Sequence, residues 1–306
     1  METSSAPVHV SAVMCTRNRP DKIATAVTSV LDSDYPSFDM TIIDQSTSDA
    51  TREALQPLLD SDPRLTYVHT DEAGLSRAYN NGIRRTEGEI LVFTDDDCLA
   101  PRDWMASIVA AFAAEPDGDL LYGQVVAAGE TPDDVRLTPA IPVEAPQRLS
   151  RRDGFHVFGM GANFAARRQL FTKAGYFDEI LGGGGPLWSS QDFDLTYRTY
   201  VVGGVTLLRP EVIIRHDGRR EAEDWPALLT AYGRGDGAFY MKHVRCRDLY
   251  ITQLFARKLA RDVLRHVYRV ARRRPTDLYY LKGIVHGARA SFKFGVDRNT
   301  RLYVAK

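Results

Sequence analysis

Short apolar runs alternate with helix-period segments four times between residues 8 and 115, and few folds accommodate that alternation. The runs are residues 8–14, Met40–Ile43, Leu65–Val68 and Glu89–Thr94. Pro20 follows the first run where its fixed φ suits an opening helical turn, and Ile23, Val27, Val30 and Leu31 continue at helical spacing. Pro36 marks a turn. Asp49 is a candidate cap for a helix carrying Leu55, Leu58 and Leu59. A third helix is expected over Leu75–Arg85, and a fourth from Pro101 with Trp104, Ile108 and Phe112 on one face. This order predicts an α/β fold, with a mostly parallel sheet covered by helices on both faces. Such sheets bind ligands beyond the carboxyl ends of their strands. Thr16–Arg19, Asp44 and Asp95–Asp97 each follow an expected strand end, so they are expected to converge on one crevice.

The remaining chain reads less regularly. Residues 127–157, rich in Pro, Asp and Arg, suggest a surface excursion. A short strand is expected over Gly161–Ala165, then the glycine run Gly182–Gly185 before Pro186, then a helix from Gln191 to Val202. Val205–Leu208 and Val212–Ile214 read as two further strands, the second reaching His216. From Trp225 the chain reads as helical to about Tyr280.

Composition excludes several classes. Of 306 residues, 44% are hydrophobic and 26% charged, and the net charge is -1, so no global attraction to nucleic acid is expected. The three cysteines, Cys15, Cys98 and Cys246, are odd in number and widely spaced, which indicates neither a disulfide framework nor a zinc site. With no basic stretch followed by an apolar run in Met1–Val8, and no apolar segment near the ~20 residues of a membrane span, a cytoplasmic protein is expected.

Chemistry concentrates in a few residues. Three adjacent carboxylates repel one another and favour a cation. Alternation along a strand puts Asp95 and Asp97 on one side, suited to a hard divalent ion such as Mn²⁺ or Mg²⁺ with room for phosphate oxygens. The plainer alternative is a polar turn whose aspartates cap the next helix. Asp192, in Ser189-Ser-Gln-Asp-Phe-Asp194, could deprotonate an incoming hydroxyl, or it could simply cap its helix. His216, at a strand end, is a candidate metal ligand or a structural imidazole. Arg77 could neutralise a diphosphate or lie solvated on its helix.

In this order, these pieces resemble the family 2 glycosyltransferases. Cys15-Thr-Arg-Asn-Arg19 resembles that family's Pro-Thr-Tyr-Asn-Arg loop, and Ile42-Ile-Asp-Gln-Ser46 its Val-Val-Asp-Asn-Ser segment. Gly74–Gly82 is similar to its Gly-x-x-x-Ala-x-Asn-x-Gly segment, Thr94–Asp97 to its Asp-x-Asp metal motif, and Gln191–Arg198 to its Glu-Asp-x-Asp-Leu-x-x-Arg helix. The resemblance spans about residues 8 to 217 and implies a GT-A, Rossmann-like catalytic domain over 1–222. Its nucleotide-sugar half would be about 8–115 and its acceptor half about 116–222, with a helical extension over 223–306.

The same resemblance implies roles. Thr16, Arg17, Arg19 and Asp44 would hold the donor base, and Arg77 the base or diphosphate. Asp95 and Asp96 would lie by the ribose and metal; Asp95, Asp97 and His216 would hold Mn²⁺ or Mg²⁺. Asp192 would be the catalytic base of a single inverting displacement. Gly184, Trp188 and Gln191 would face the acceptor, a glycan, lipid-linked molecule or small molecule; the donor would be a UDP-, GDP- or dTDP-sugar. Cys15 stands where that family has Pro, Arg17 where it has an aromatic residue, and Gln191 where it has Glu.

Two other classes fit part of the pattern. A sugar-phosphate nucleotidyltransferase needs a glycine-rich phosphate loop after the first strand, and Cys15–Pro20 contains no glycine. A non-catalytic nucleotide- or glycan-binding module would keep Asp44 and the triplet without needing Asp192. Finally, residues 245–274 hold ten Arg or Lys against two Asp, with Ile251, Leu254, Phe255, Leu259, Val263, Val267 and Val270 near one face. That amphipathic helix would lie peripherally on an anionic membrane surface or pack its apolar face on the domain.

Overall fold

A computed structural model describes residues 6–128, 136–137, 142–155, 159–217, 219–220 and 222–306. The expected alternation is present. In order it comprises β1 (Val10–Thr16), α1 (Pro20–Leu31), β2 (Phe38–Asp44), α2 (Ala50–Ser61), β3 (Leu65–His69), α3 (Leu75–Arg85), β4 (Ile90–Asp95), β5 (Cys98–Leu99) and α4 (Trp104–Ala114). There follow β6 (Gly118–Ala127), β7 (Arg136–Leu137), β8 (Gln147–Leu149), β9 (Asn163–Arg167), α5 (Gln169–Ala174), α6 (Gln191–Val201), β10 (Val205–His216) and β11 (Arg219–Arg220). The chain ends with α7 (Trp225–Arg245), α8 (Leu249–Ala271), α9 (Tyr279–Ala290), β12 (Gly295–Val296) and β13 (Tyr303–Val304).

The chain divides into two compact units. The first comprises residues 1–73, 77–176 and 195–220; the second comprises 74–76, 177–194 and 221–306. The first unit holds a nine-stranded sheet in the order β3-β2-β1-β4-β9-β6-β10-β5, with β8 beside β10. β3, β2, β1 and β4 are mutually parallel. β9 runs antiparallel between β4 and β6, which its short strand pattern alone did not reveal. Strands buried on both faces read as continuous apolar runs, and β4 accordingly buries Ile90, Leu91, Val92 and Phe93 completely. Trp104, Ile108 and Phe112 of α4 are buried in the same core.

Several sequence expectations change. Asp49 precedes α2 but its side chain makes no capping bond. Pro101 does not begin a helix; α4 starts at Trp104, with Trp104 N donating to Pro101 O at 3.0 Å. The two strands expected over 205–214 are one, β10, whose pairing with β6 slips between Arg209 and Ile213. Pro210 cannot donate a ladder hydrogen bond, so a bulge there is natural. Of the excursion expected over 127–157, residues 129–135, 138–141 and 156–157 lie outside the described residues.

In the second unit the helical stretch after Trp225 comprises three helices and runs past Tyr280 to Ala290. α7 and α9 meet through glycines four apart on each, Gly233 and Gly237 against Gly283 and Gly287. A Cβ on any of them would overlap backbone of the facing helix, at Tyr280, Ile284, Thr230 or Arg234. Glycine there lets two backbones approach closely, as small residues do wherever helices pack tightly. The same unit holds a buried ionic cluster. The Lys242 ammonium is fully buried, 2.6 Å from carboxylate oxygens of both Asp178 and Asp194. β12 and β13 form a two-stranded ribbon, and Tyr303 donates its N–H to Asp178 at 2.9 Å.

Candidate active site

The first unit gathers the acidic triplet at the carboxyl ends of its parallel strands. Register aligns Thr16 of β1 with Asp44 of β2, and Cys15 with Asp95 of β4. After Asp95 the chain turns through Asp96 and Asp97, then runs back as β5 against the end of β10, with Cys98 paired to His216. This brings the His216 imidazole Nε2 to 3.1 Å from Asp97 Oδ1. Asp217 N donates to the Asp97 carbonyl at 3.0 Å, which fixes the turn. Asp95, Asp97, Cys98 and His216 offer ligand atoms all within 4.8 Å of one another.

The middle carboxylate is held differently. Thr16 Oγ1 donates to Asp96 Oδ2 at 2.7 Å, and Arg19 Nη1 reaches Asp96 Oδ1 at 2.7 Å and Asp97 Oδ2 at 2.9 Å. Thr16 and Arg19, expected at the donor base, thus contact the acidic turn. Asp44 is fully buried; its oxygens accept from Tyr67 Oη at 2.7 Å and Ser46 N at 2.8 Å. Arg17 is exposed in the loop between β1 and α1. Asn18 in that loop has a positive φ of 56°, which Asn tolerates well, and it takes Thr47 N onto its side chain at 2.9 Å. Arg77 is half-buried in α3.

The electrostatics distinguish the three aspartates. Burial, then the charge of Asp97, pushes Asp95 well above the usual carboxylate range. Burial likewise raises Asp96 against the pull of Arg19 and Thr16. For Asp97, burial raises the carboxyl, but the hydrogen bond and charge of His216, then Arg19 and Lys22, outweigh it and hold it below that range. Carboxylates crowded together, with Asp95 and Asp96 resisting ionisation, are the environment a divalent cation relieves. Two carboxylates and an imidazole suit Mn²⁺ or Mg²⁺. Cys98 was not anticipated as part of this group. Its thiol is pushed up by burial and by Asp95 and Asp97, so it stays protonated and a poor ligand for a hard ion. Its position directly after the triplet was the only signal for it.

The second unit holds the other expected residues. Gly184 and Trp188 are exposed, each with φ +73°. Leu75 N donates to Gly183 O at 2.8 Å, and Ser76 Oγ to Leu181 O at 2.8 Å, tying that loop to the start of α3. Gln191 is buried and Asp192 half-buried in the first turn of α6; Asp192 Oδ1 accepts from Phe193 N at 2.9 Å. Ser190, at a positive φ of 69°, donates its hydroxyl to Asp236 at 2.8 Å. Asp194 is fully buried, bound by Lys242 at 2.6 Å and His243 Nε2 at 2.9 Å, so it serves the interior. Nothing local in the sequence pointed to Lys242 or His243, because both lie inside a helix some fifty residues away.

The model of Glycosyl transferase family 2 matches residues 11–175. The chain is 30% identical over 246 residues to WcaA of Escherichia coli (strain K12), a glycosyl transferase named for colanic acid biosynthesis; the match covers 76% of this chain and 81% of that protein. It is 25% identical to the glucosyl-dolichyl phosphate glucuronosyltransferase of Haloferax volcanii, over 56% of this chain and 57% of that one. Among solved structures, it resembles the mannosyltransferase PcManGT from Pyrobaculum calidifontis in complex with GDP-Man and Mn²⁺, with TM-score 0.55 and 19% identity over 79% of this chain and 65% of that one. It also resembles GalNAc-T7 with UDP, GalNAc and Mn²⁺, with TM-score 0.56 and 19% identity over 77% of this chain and 50% of that one. The chain therefore has the GT-A fold, is a glycosyltransferase, and belongs to glycosyl transferase family 2.

Proposed function

We propose that the protein transfers a sugar, with inversion, from a nucleoside diphosphate sugar to an acceptor hydroxyl in a reaction that needs a divalent cation. The observation that carries this reading is the convergence of Asp95, Asp97 and His216 at the carboxyl end of the parallel sheet, beside Arg19 and Thr16. Two structural neighbours were solved with Mn²⁺, one with GDP-Man and one with UDP and GalNAc, and a third, Staphylococcus aureus TarS, with UDP-GlcNAc.

Asp95, Asp97 and His216 would hold Mn²⁺ or Mg²⁺. Bound there, the cation supplies Lewis-acid neutralisation of the charge that grows on a departing diphosphate. The chain's own residues supply the rest. Thr16 and Arg19 fix Asp96, which keeps one side of the acidic turn rigid. Arg19 and Arg77 add fixed positive charge for the diphosphate. Asp44, preset by Tyr67 and Ser46, would accept a ring N–H of the base. Asp192 would take the acceptor proton as the hydroxyl attacks the anomeric carbon from the face opposite the leaving group, so one displacement inverts the configuration. Gly184, Trp188 and Gln191 would line the acceptor side.

The test is hydrolysis and transfer from a panel of nucleotide sugars with and without Mn²⁺. Turnover that needs the metal and is lost in Asp97→Asn supports the proposal; metal-independent turnover that survives in that variant contradicts it.

A further inference from the structure

α8 changes character along its length. In its first half Ile251 and Phe255 are buried, and the Phe255 ring stacks on Tyr240 of α7 with centroids 4.8 Å apart. Beyond Asp262 the apolar side chains stand in solvent: Val263 is 49% exposed, Leu264 67%, Val267 55%, Tyr268 52% and Val270 55%. At 3.6 residues per turn these five share one arc of roughly 160°. That arc faces away from the side on which Ile251 and Phe255 pack. The helix therefore carries a second apolar stripe that nothing in its own unit covers.

Its border is strongly basic. Arg261, Arg265 and Arg269 follow one edge of the stripe, Arg272 caps the helix on that edge, and Arg273 and Arg274 follow it. Arg261 and Arg265 have side chains 66% and 64% exposed. The lone acid between Leu249 and Arg274 is Asp262, which is 11% exposed and lies 3.4 Å from Lys258 and 3.7 Å from Arg265. The exposed part of the helix thus presents positive charge only. A second copy of the chain laid on this stripe would bring two arginine borders together, and five residues of contact fall short of the ~800 Å² per partner that stable association needs. An anionic bilayer surface satisfies both features: the apolar arc sinks into the headgroup boundary while arginine heads reach the phosphates.

We infer that the second half of α8, together with the arginines that follow it (residues 261–274), docks in the plane of an anionic membrane surface. No helix among the described residues is long and apolar enough to cross a bilayer, so the attachment would be peripheral. The inference does not depend on the catalytic reading. It is tested by co-sedimentation of the full chain with vesicles of phosphatidylcholine alone and with roughly one-third phosphatidylserine, at low and at high salt.

The expected result is binding to the anionic vesicles, at least about tenfold weaker on neutral ones and weakened by salt. Leu264→Ser/Val267→Ser, at exposed positions, should lose that binding while thermal unfolding and donor hydrolysis stay as in the parent. Absence of binding to anionic vesicles at either salt overturns the inference, as does undiminished binding by the double variant. Concentration-dependent dimerisation that the double variant abolishes would also overturn it, by assigning the stripe to a second copy. Loss of hydrolysis in the parent would count against the proposed reaction and leave the vesicle result to be read by itself.

Discussion

At the scale of single residues, three adjacent aspartates do three different things. Asp95 is half-buried and resists ionisation, Asp96 is tied down by Thr16 and Arg19, and Asp97 is kept charged by His216 and Arg19. The strand alternation already separated Asp95 and Asp97 from Asp96. His216 beside Asp97 depends on a two-residue antiparallel strand, β5, and so short a strand carries no period to read. Asp192 has its own prediction. Asp192→Asn keeps the size and hydrogen-bonding reach of the side chain but removes its basicity. It should lower kcat for transfer by about 10²–10⁴-fold with donor affinity unchanged. Steady-state kinetics with a titration of the donor checks this; unchanged kcat would move the base elsewhere.

At the scale of elements, the second unit is organised around backbone contact and buried charge. Gly237→Ala places a methyl against the backbone of Ile284, which cannot swing aside as a side chain would. We expect a loss of about 1–3 kcal/mol, with a visibly lower melting temperature, from this single methyl. A melting curve matching the parent would mean that α7 and α9 can separate freely. His243 gives a pH prediction. Burial is the main cause that pushes its pKa down to about 4 from an ordinary 6.5, with Lys242 adding to the effect and Asp194 opposing it. Between those values the unfolded chain binds a proton that the folded chain does not. Stability is therefore full above about pH 6.5 and falls as the pH drops towards 4, by on the order of 3 kcal/mol from this group. Denaturant titrations across that range should show a shallower fall for His243→Gln than for the parent; equal slopes would contradict the assignment.

At the scale of the whole molecule, local patterns carried the first four strands and their helices, because each is a continuous apolar run or a clean 3.6-residue period. They did not carry the insertion of β9 antiparallel into the sheet, or the grouping of residues 177–194 with 221–306, since both depend on pairings distant in sequence. The same limit applied to function. Asp44, the triplet, His216 and Asp192 were legible as candidates from their positions at strand and helix ends, whereas Cys98, Lys242 and His243 emerged only with the fold. The amphipathic pattern of 245–274 was legible too, but its single apolar face proved to be two, one packed and one bare.

The central claim is that Asp95, Asp97 and His216 bind a divalent cation together with a nucleoside diphosphate. Titration calorimetry with UDP, GDP and dTDP, with and without Mn²⁺, addresses it most directly. One of the three should bind at least about tenfold more tightly with Mn²⁺ than without, and Asp97→Asn should remove that difference. Binding of none of them, or binding that neither Mn²⁺ nor the substitution alters, would contradict the claim.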